Sequence, residues 1–329
     1  MPSPTFTDRR LFRLAAVLHG FQTVQGTPVA DFTTAATRVM WAKLFDIDPG
    51  LVKDDFQGST ATPKKRQEGR FLKERKPVAL LHGGATPKNL EWLLRSWGGT
   101  WSGGPTLTLA FTNTIGEFST LAMVEKVPVP NTQKVMRLWD AWAHHVTLSM
   151  ASGLSILEVN ARFAARDFDR TPLNALGGIT LPASYAPPAI DVFAPHGFRL
   201  YRDPASANVS VAVRELRIEF VGGLQHETWN DVSPQVVSEG WNAVKVSFRG
   251  VWMDETYAIE TDVETLPIVF KRFKAEWTSG SKNFTIDMRN VDFTASPTGW
   301  RDGLFREFEV EGEAYLNSSD QYIDVTLTP

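Results

Sequence analysis

Apolar and polar residues alternate along most of this chain. In the stretch 145–163, Val146, Leu148 and Met150 alternate with His145, Thr147 and Ser149. Beyond Ser152 and Gly153, Leu157, Val159, Ala161 and Phe163 alternate with Glu158, Asn160 and Arg162. A period of two with one apolar face predicts a half-buried antiparallel hairpin. The pattern returns in the second half. Leu216, Ile218 and Phe220 alternate with Glu215, Arg217 and Glu219, and Val244, Val246 and Phe248 with Lys245, Ser247 and Arg249. Phe273, Ala275 and Trp277 lead to a turn at Ser279-Gly280-Ser281, and Phe284, Ile286 and Met288 follow it. Phe308, Val310, Gly312 and Ala314 oppose Glu307, Glu309, Glu311 and Glu313, before a last strand with Ile323, Val325 and Leu327.

One segment has a helical period instead. Thr86 is placed to cap it, Pro87 opens its first turn, and Leu90, Leu93, Leu94 and Trp97 share a face until Gly98 and Gly99 end it. A short apolar strand, 77–81, precedes it, and further strands begin at Leu107 and Leu109. The expected fold is mainly β with minor helix: two sandwich or half-barrel units in tandem, each with a flanking helix.

Length and composition refine this picture. A chain of 329 residues can bury ample core and predicts two domains. Pro182, Pro187, Pro188, Pro195 and Pro204 mark the linker, which places the domains at 1–185 and 186–329. Eleven Trp and 21 Phe supply large core and interface side chains. Cysteine is absent, so disulfide scaffolds, thiolate metal sites and Cys nucleophiles are excluded. No apolar run is long enough to span a membrane as a helix. Arg9 and Arg10 precede the apolar residues 11–18, but Arg13 interrupts them and no small-residue cleavage site follows, so the segment reads as a short helix or strand of the mature protein.

The formal net charge of -3 gives no bulk attraction to nucleic acid. The charge is unevenly placed. Residues 1–185 hold 21 Lys and Arg against 15 Asp and Glu, and residues 186–329 hold 13 against 22. Oppositely charged halves suit contact between copies; chance surface composition explains the asymmetry as well. Lys64, Lys65, Arg66, Arg70, Lys73, Arg75 and Lys76 face only Glu68 and Glu74 in the stretch 64–76. Apolar residues are sparse there, which predicts a long exposed basic loop over 60–77: a solvated loop, or an arm that orders against an acidic neighbour.

Candidate chemistry is thin. The carboxylates Glu307, Glu309, Glu311 and Glu313 fall about 7 Å apart on one face of one strand, where they repel one another. They fit a solvated outer face, the lining of a lumen that must not hold DNA, or a dock for the basic loop. Asp140, His144 and His145 invite a metal reading, but no third ligand is evident and no HExxH sequence occurs. No GxSxG, P-loop or GxGxxG sequence is present, and the tryptophans, Trp92 and Trp300 among them, are scattered along the chain. A building block without catalytic or cofactor residues is favoured over an enzyme.

In order and spacing, the chain resembles the tail tube proteins of long-tailed bacteriophages, in the form with two tube domains fused in one chain. The resemblance is carried by Phe21, Gln22 and Thr23 with Gly26, Thr27 and Pro28, by the helix ending NLEWLLRSWGG at 89–99, by the hairpin 145–163, and by the strands within 209–221, 242–252, 273–288 and 307–327. It implies a structural virion protein, made in the host cytoplasm, that assembles with itself. Its rings would be trimers with pseudo-sixfold symmetry, stacked into a conduit through which DNA passes without specific binding. Strands of each domain would join edge to edge in a continuous inner barrel. Tape-measure, tail-terminator and distal tail proteins are the implied partners, with no membrane involved. The loop bearing Lys64 to Lys76 would reach a neighbouring ring. Glu158, Arg162, Glu215, Arg217 and Glu219 are the lumen candidates, from alternation alone. A distal or adaptor ring protein of the same tail and a carbohydrate-binding β-sandwich are the alternatives.

Overall fold

The computed structural model describes residues 13–34, 37–40, 42, 44–56, 69–102, 107–127, 132–151, 156–171, 178–185, 192–194, 197–201, 213–222, 225–227, 236–238, 242–251, 271–295, 299–301, 305–315 and 323–328. The first half contains β1 (Arg13–Phe21), β2 (Thr37–Met40), β3 (Leu44–Asp48), β4 (Leu51–Phe56), β5 (Gly69–Arg75), β6 (Val78–Gly84) and α1 (Pro87–Trp97). It continues with β7 (Gly98–Ser102), β8 (Leu107–Ile115), β9 (Ser119–Val127), β10 (Thr132–Ala151), β11 (Glu158–Ala164) and β12 (Asp167–Arg170). The second half holds β13 (Phe198–Tyr201), β14 (Val213–Val221), β15 (Gln225–Glu227), β16 (Val236–Ser238), β17 (Ala243–Val251), β18 (Lys271–Ser279), β19 (Lys282–Ala295), β20 (Gly299–Arg301), β21 (Phe305–Ala314) and β22 (Ile323–Thr328). The protein is mainly β, with one helix among the described residues. The helix expected in the second half is not among the described residues.

All the pairings among the described residues are antiparallel apart from one isolated bridge, Asp31 with Thr180. The longest run is eight strands wide: β3-β6-β11-β10-β14-β17-β21-β19. Two long strands bend and carry pairing into flanking sheets. The first half of β10 joins β2-β1-β9-β10-β12. The first half of β19 joins β13-β18-β19-β22-β8-β7. These branches wrap the strands round a core, yet no described pairing joins β3 to β19.

The eight-strand run repeats one order twice. In β3-β6-β11-β10 and again in β14-β17-β21-β19, the first two strands are separated in sequence by a small hairpin, β4-β5 or β15-β16. The fourth strand is the long bent one, and it is preceded by its hairpin partner, β9 or β18. The third strand is followed by a shorter one, β12 or β22, that pairs with the other half of the bent strand. The two quartets meet at β10-β14, so hydrogen bonding crosses position 185 and joins strands of both halves in one sheet.

One face of the run is dry. Phe45, Ile47, Leu81, Phe163, Val146, Leu148, Ile218, Phe220, Val246, Phe248 and Val310 all lie buried on it. The helix covers part of this face because its sequence gives it an apolar stripe. Thr86 Oγ1 accepts from Asn89 N at 3.2 Å, and Leu90, Trp92, Leu93, Leu94 and Trp97 are all buried. Trp92 stacks on Phe163 at 5.2 Å between centroids, and Trp97 meets Phe220 edge-on at 5.4 Å. Gly98 and Gly99 end the helix as expected, but they pass straight into β7 rather than into a loop. On β1 both faces are buried: Val17 joins the main core, while Ala16 and Leu18 pack with Phe32, Ala122, Val124, Val135 and Ile179 in a second, smaller one.

Two expectations need correction. The hairpin strand expected to begin near His145 begins at Thr132, and the polar residues Lys134, Arg137 and Asp140 are accommodated by burial with partners. The basic stretch is not a loop throughout. Arg70, Lys73 and Arg75 lie on β5, which pairs with β4, because a two-stranded ribbon is held by backbone hydrogen bonds and needs little apolar surface. Lys64, Lys65 and Arg66 lie outside the described residues. Lys76 is exposed just beyond β5, and its backbone N–H donates to Gly50 O at 2.9 Å.

Candidate assembly surface

The other face of the eight-strand run is mostly polar, with Leu80 exposed between Asp46 and Arg162. Because side chains alternate, burying one set in each strand forces the complementary set onto this face. It carries Asp46 and Asp48 on β3, His82 on β6, and Glu158, Asn160 and Arg162 on β11. It continues through His145, Thr147 and Ser149 on β10, Glu215, Arg217 and Glu219 on β14, and Lys245, Ser247 and Arg249 on β17. Glu307, Glu309, Glu311 and Glu313 on β21 and Asp292 and Thr294 on β19 complete it. All five lumen candidates and the whole glutamate ladder therefore share one face. Carboxylates outnumber cations on it.

Ionic partners on the same and neighbouring strands soften the repulsion in the middle of this face. Arg249 donates to Glu215 at 3.0 Å, Arg217 pairs with Glu219, and His145 Nε2 lies 4.0 Å from the Glu219 carboxylate. Register sets Lys245 opposite Glu313 and Arg249 opposite Glu309, and Arg214 lies 3.6 Å from Glu307. His82 lies 4.0 Å from Glu158. A groove of about 320 Å³ runs here between Arg217, Glu219, Lys245, Asp292, Glu311 and Glu313. Its lining is mixed in charge, with no set of three metal-ligating side chains gathered among the described residues.

The chain matches no protein-family model, and no curated protein is similar to it in sequence. Among the described residues, no helix is long and apolar enough to cross a membrane.

Asp140, considered above as a metal ligand, is a structural joint. It is fully buried at the bend of β10, with φ at +46°, a backbone region that Asp tolerates better than most residues. Its Oδ1 accepts from Gln22 Nε2 and from the Gly26 backbone N–H, each at 2.7 Å, and its own N–H donates to Gln22 Oε1 at 2.7 Å. Arg166 lies 3.5 Å from Oδ2. Asp140 thereby ties the bend to the turn after β1, and the carboxylate is already committed. Neighbouring His144 has its imidazole held below the ordinary histidine range, first by burial and then by Arg162 and His145. Replacing Asp140 by alanine should cost about 3 kcal/mol, because it strands two short hydrogen bonds and an arginine near a buried site. Chemical denaturation of the purified variant checks this, and a loss below about 1 kcal/mol would contradict the role.

Sequence reasoning missed Asp140's role and strand β3, and it followed β19 only as far as Met288. An Asp within the apolar run Leu138 to Ala143 was the available signal for the first. Nothing local marks a strand as an edge.

Proposed function

We propose that this protein is a structural ring-forming subunit of a phage tail tube, with two tube units fused in one chain. The observation that carries the reading is the repeated quartet order. The fourth strand of the first quartet, β10, pairs with the first strand of the second, β14. The same rule applied once more would pair β19 of one copy with β3 of the next. Such pairing is heterologous and head-to-tail, so copies close into a ring when the rotation per copy divides a full turn. Closure also removes the sheet edges that make an open β-structure prone to aggregation. The trimer number follows from the family resemblance.

In that ring the polar face would line the bore and the apolar face with α1 would form the wall. A lining richer in carboxylates than cations repels the phosphate backbone and lets DNA pass without being held. The virion tail as location, and tape-measure, terminator and distal tail proteins as partners, belong to this same proposal. No catalytic group is assigned.

Solution mass tests it. Multi-angle light scattering over a rising concentration series should detect a species of about three times the 36.7 kDa chain mass, followed by stacked forms. A chain that stays monomeric throughout, and also when purified tail tips are supplied as nucleators, contradicts the proposal.

A further inference from the structure

The internal joint between the quartets predicts the register of the joint between copies, and that register creates an electrostatic conflict. The two quartets superimpose by their strand ends. β3 and β14 end, and β6 and β17 begin, at the inserted hairpins, which sets Asp48 in the place of Val221 and Val78 in the place of Ala243. Cross-strand register then equates Leu81 with Val246 and Ala161 with Gly312, so Val146 corresponds to Phe293. The β10-β14 joint sets His145 opposite Val221, Val146 opposite Phe220 and Thr147 opposite Glu219. Transposed, it sets Asp292 opposite Asp48, Phe293 opposite Ile47 and Thr294 opposite Asp46.

The apolar positions agree with this register. Phe293 and Ile47 are both core-facing, as Val146 and Phe220 are. The polar positions do not match the internal joint. There, Glu219 lies beside Arg217 and His145, and Glu215 beside Arg249. At the outer edges, Asp46 and Asp48 are exposed, and Asp292 lies in register beside Glu313. Among the described residues, register sets no cation directly opposite these three: Asp48 meets Val78, Asp46 meets Leu80 and Asp292 meets Glu313, while Lys271 of β18 stands opposite the neighbouring Val291 and Lys76 lies beside Gly50.

Resting on the ring reading, we infer that the contact between copies is a carboxylate-against-carboxylate seam, formed by Asp46 and Asp48 of one copy and Asp292 of the next. Like charges directly opposite across a strand pair weaken it. The internal seam forms on folding, whereas this one must overcome repulsion before its backbone hydrogen bonds form. Newly made chains are thus kept from joining one another at random, and a preformed end that already positions β3 or β19 removes part of the cost of ordering the edge. The arrangement is a brake on unnucleated assembly.

The test compares the native chain with the double variant Asp48→Asn and Asp292→Asn. Both sites are at least partly solvated, and asparagine keeps an acceptor for the Gly50 N–H that Asp48 Oδ1 accepts at 2.9 Å. Circular dichroism verifies the fold. The variant should reach half-assembly at a concentration about fivefold lower at low ionic strength. Raising sodium chloride from about 50 mM to about 500 mM should promote assembly of the native chain and have little effect on the variant. Rings that form equally well with or without the two carboxylates, or native rings that dissociate with salt, would overturn the seam while leaving the ring reading intact. If neither chain assembles at any salt concentration, with or without tail tips, the ring reading and the seam fall together.

Discussion

Replacing Trp92 by alanine should cost the fold about 3–5 kcal/mol, the largest loss expected from a single side chain here. Trp92 is 1% exposed and projects from α1 onto the dry face of the eight-strand run. Its ring lies at 12° to that of Phe163, and His19 approaches it at 4.1 Å from the other flank. No neighbour can fill the gap, because Leu90, Leu93 and Leu94 are themselves fully packed. The helix would lose its central anchor between β11 and β1. Equilibrium unfolding in urea, followed by tryptophan fluorescence and circular dichroism, gives the difference directly. A loss under about 1 kcal/mol would show that α1 is not seated as described. Trp92→Phe, which retains a ring, should recover much of the stability.

The second large effect concerns DNA. Converting Glu309, Glu311 and Glu313 together to lysine should turn an indifferent bore into one that holds DNA. Each change reverses a charge on the polar face, and every copy in a ring repeats all three. Lysines near the phosphate backbone release condensed counterions, so affinity should be high at about 50 mM salt and largely lost at about 500 mM. Assembled native and variant protein, incubated with short labelled duplexes and pelleted, would separate the outcomes. Retention by the variant alone fits a ladder that lines the passage. No retention by the variant at low salt would put the ladder outside the bore and favour its alternative role as a dock for the basic segment. Lysines at 309 and 313 would face Arg249 and Lys245 across the strand pair, so circular dichroism and electron microscopy must first show that the variant folds and assembles.

Much of the fold was legible because alternation is imposed by burial. Ile218, Val246 and Phe284 had to be strand residues facing a core, since any other register would expose them. Helix α1 was equally plain, from its cap at Thr86 to its end at Gly98. The turn at Gly280, with φ at +63°, was marked by a residue suited to it. What alternation cannot supply is neighbour identity. That β14 pairs on one side with β10, a strand of the other half, depends on contacts some seventy residues apart, and no residue on either strand encodes the choice by itself. The same applies to β10, whose buried Lys134 and Arg137 disguised the first half of the strand. Their burial is tolerable only because Glu125 lies 3.3 Å from Lys134, and Asp169 meets Arg137 on its other flank. The polar face was foreseen residue by residue at Glu158, Arg162, Glu215, Arg217 and Glu219. That Glu307 to Glu313 lie on the same surface emerged only with the strand order.

Covalent trapping of neighbouring copies tests the central claim most directly. The native chain has no cysteine, so a pair introduced at Asp46→Cys and Thr294→Cys can bond only with each other or with an added thiol. Directly opposed strand residues bring their Cβ atoms about 4.5–5.5 Å apart, close to the separation that a disulfide requires. After mild oxidation under assembling conditions, the edge-to-edge ring predicts a trimer that survives denaturing electrophoresis without reductant and returns to monomer with it. Each single variant should yield at most a dimer. Rings seen by electron microscopy whose double variant remains monomeric on the same gel would contradict the pairing of β19 with β3.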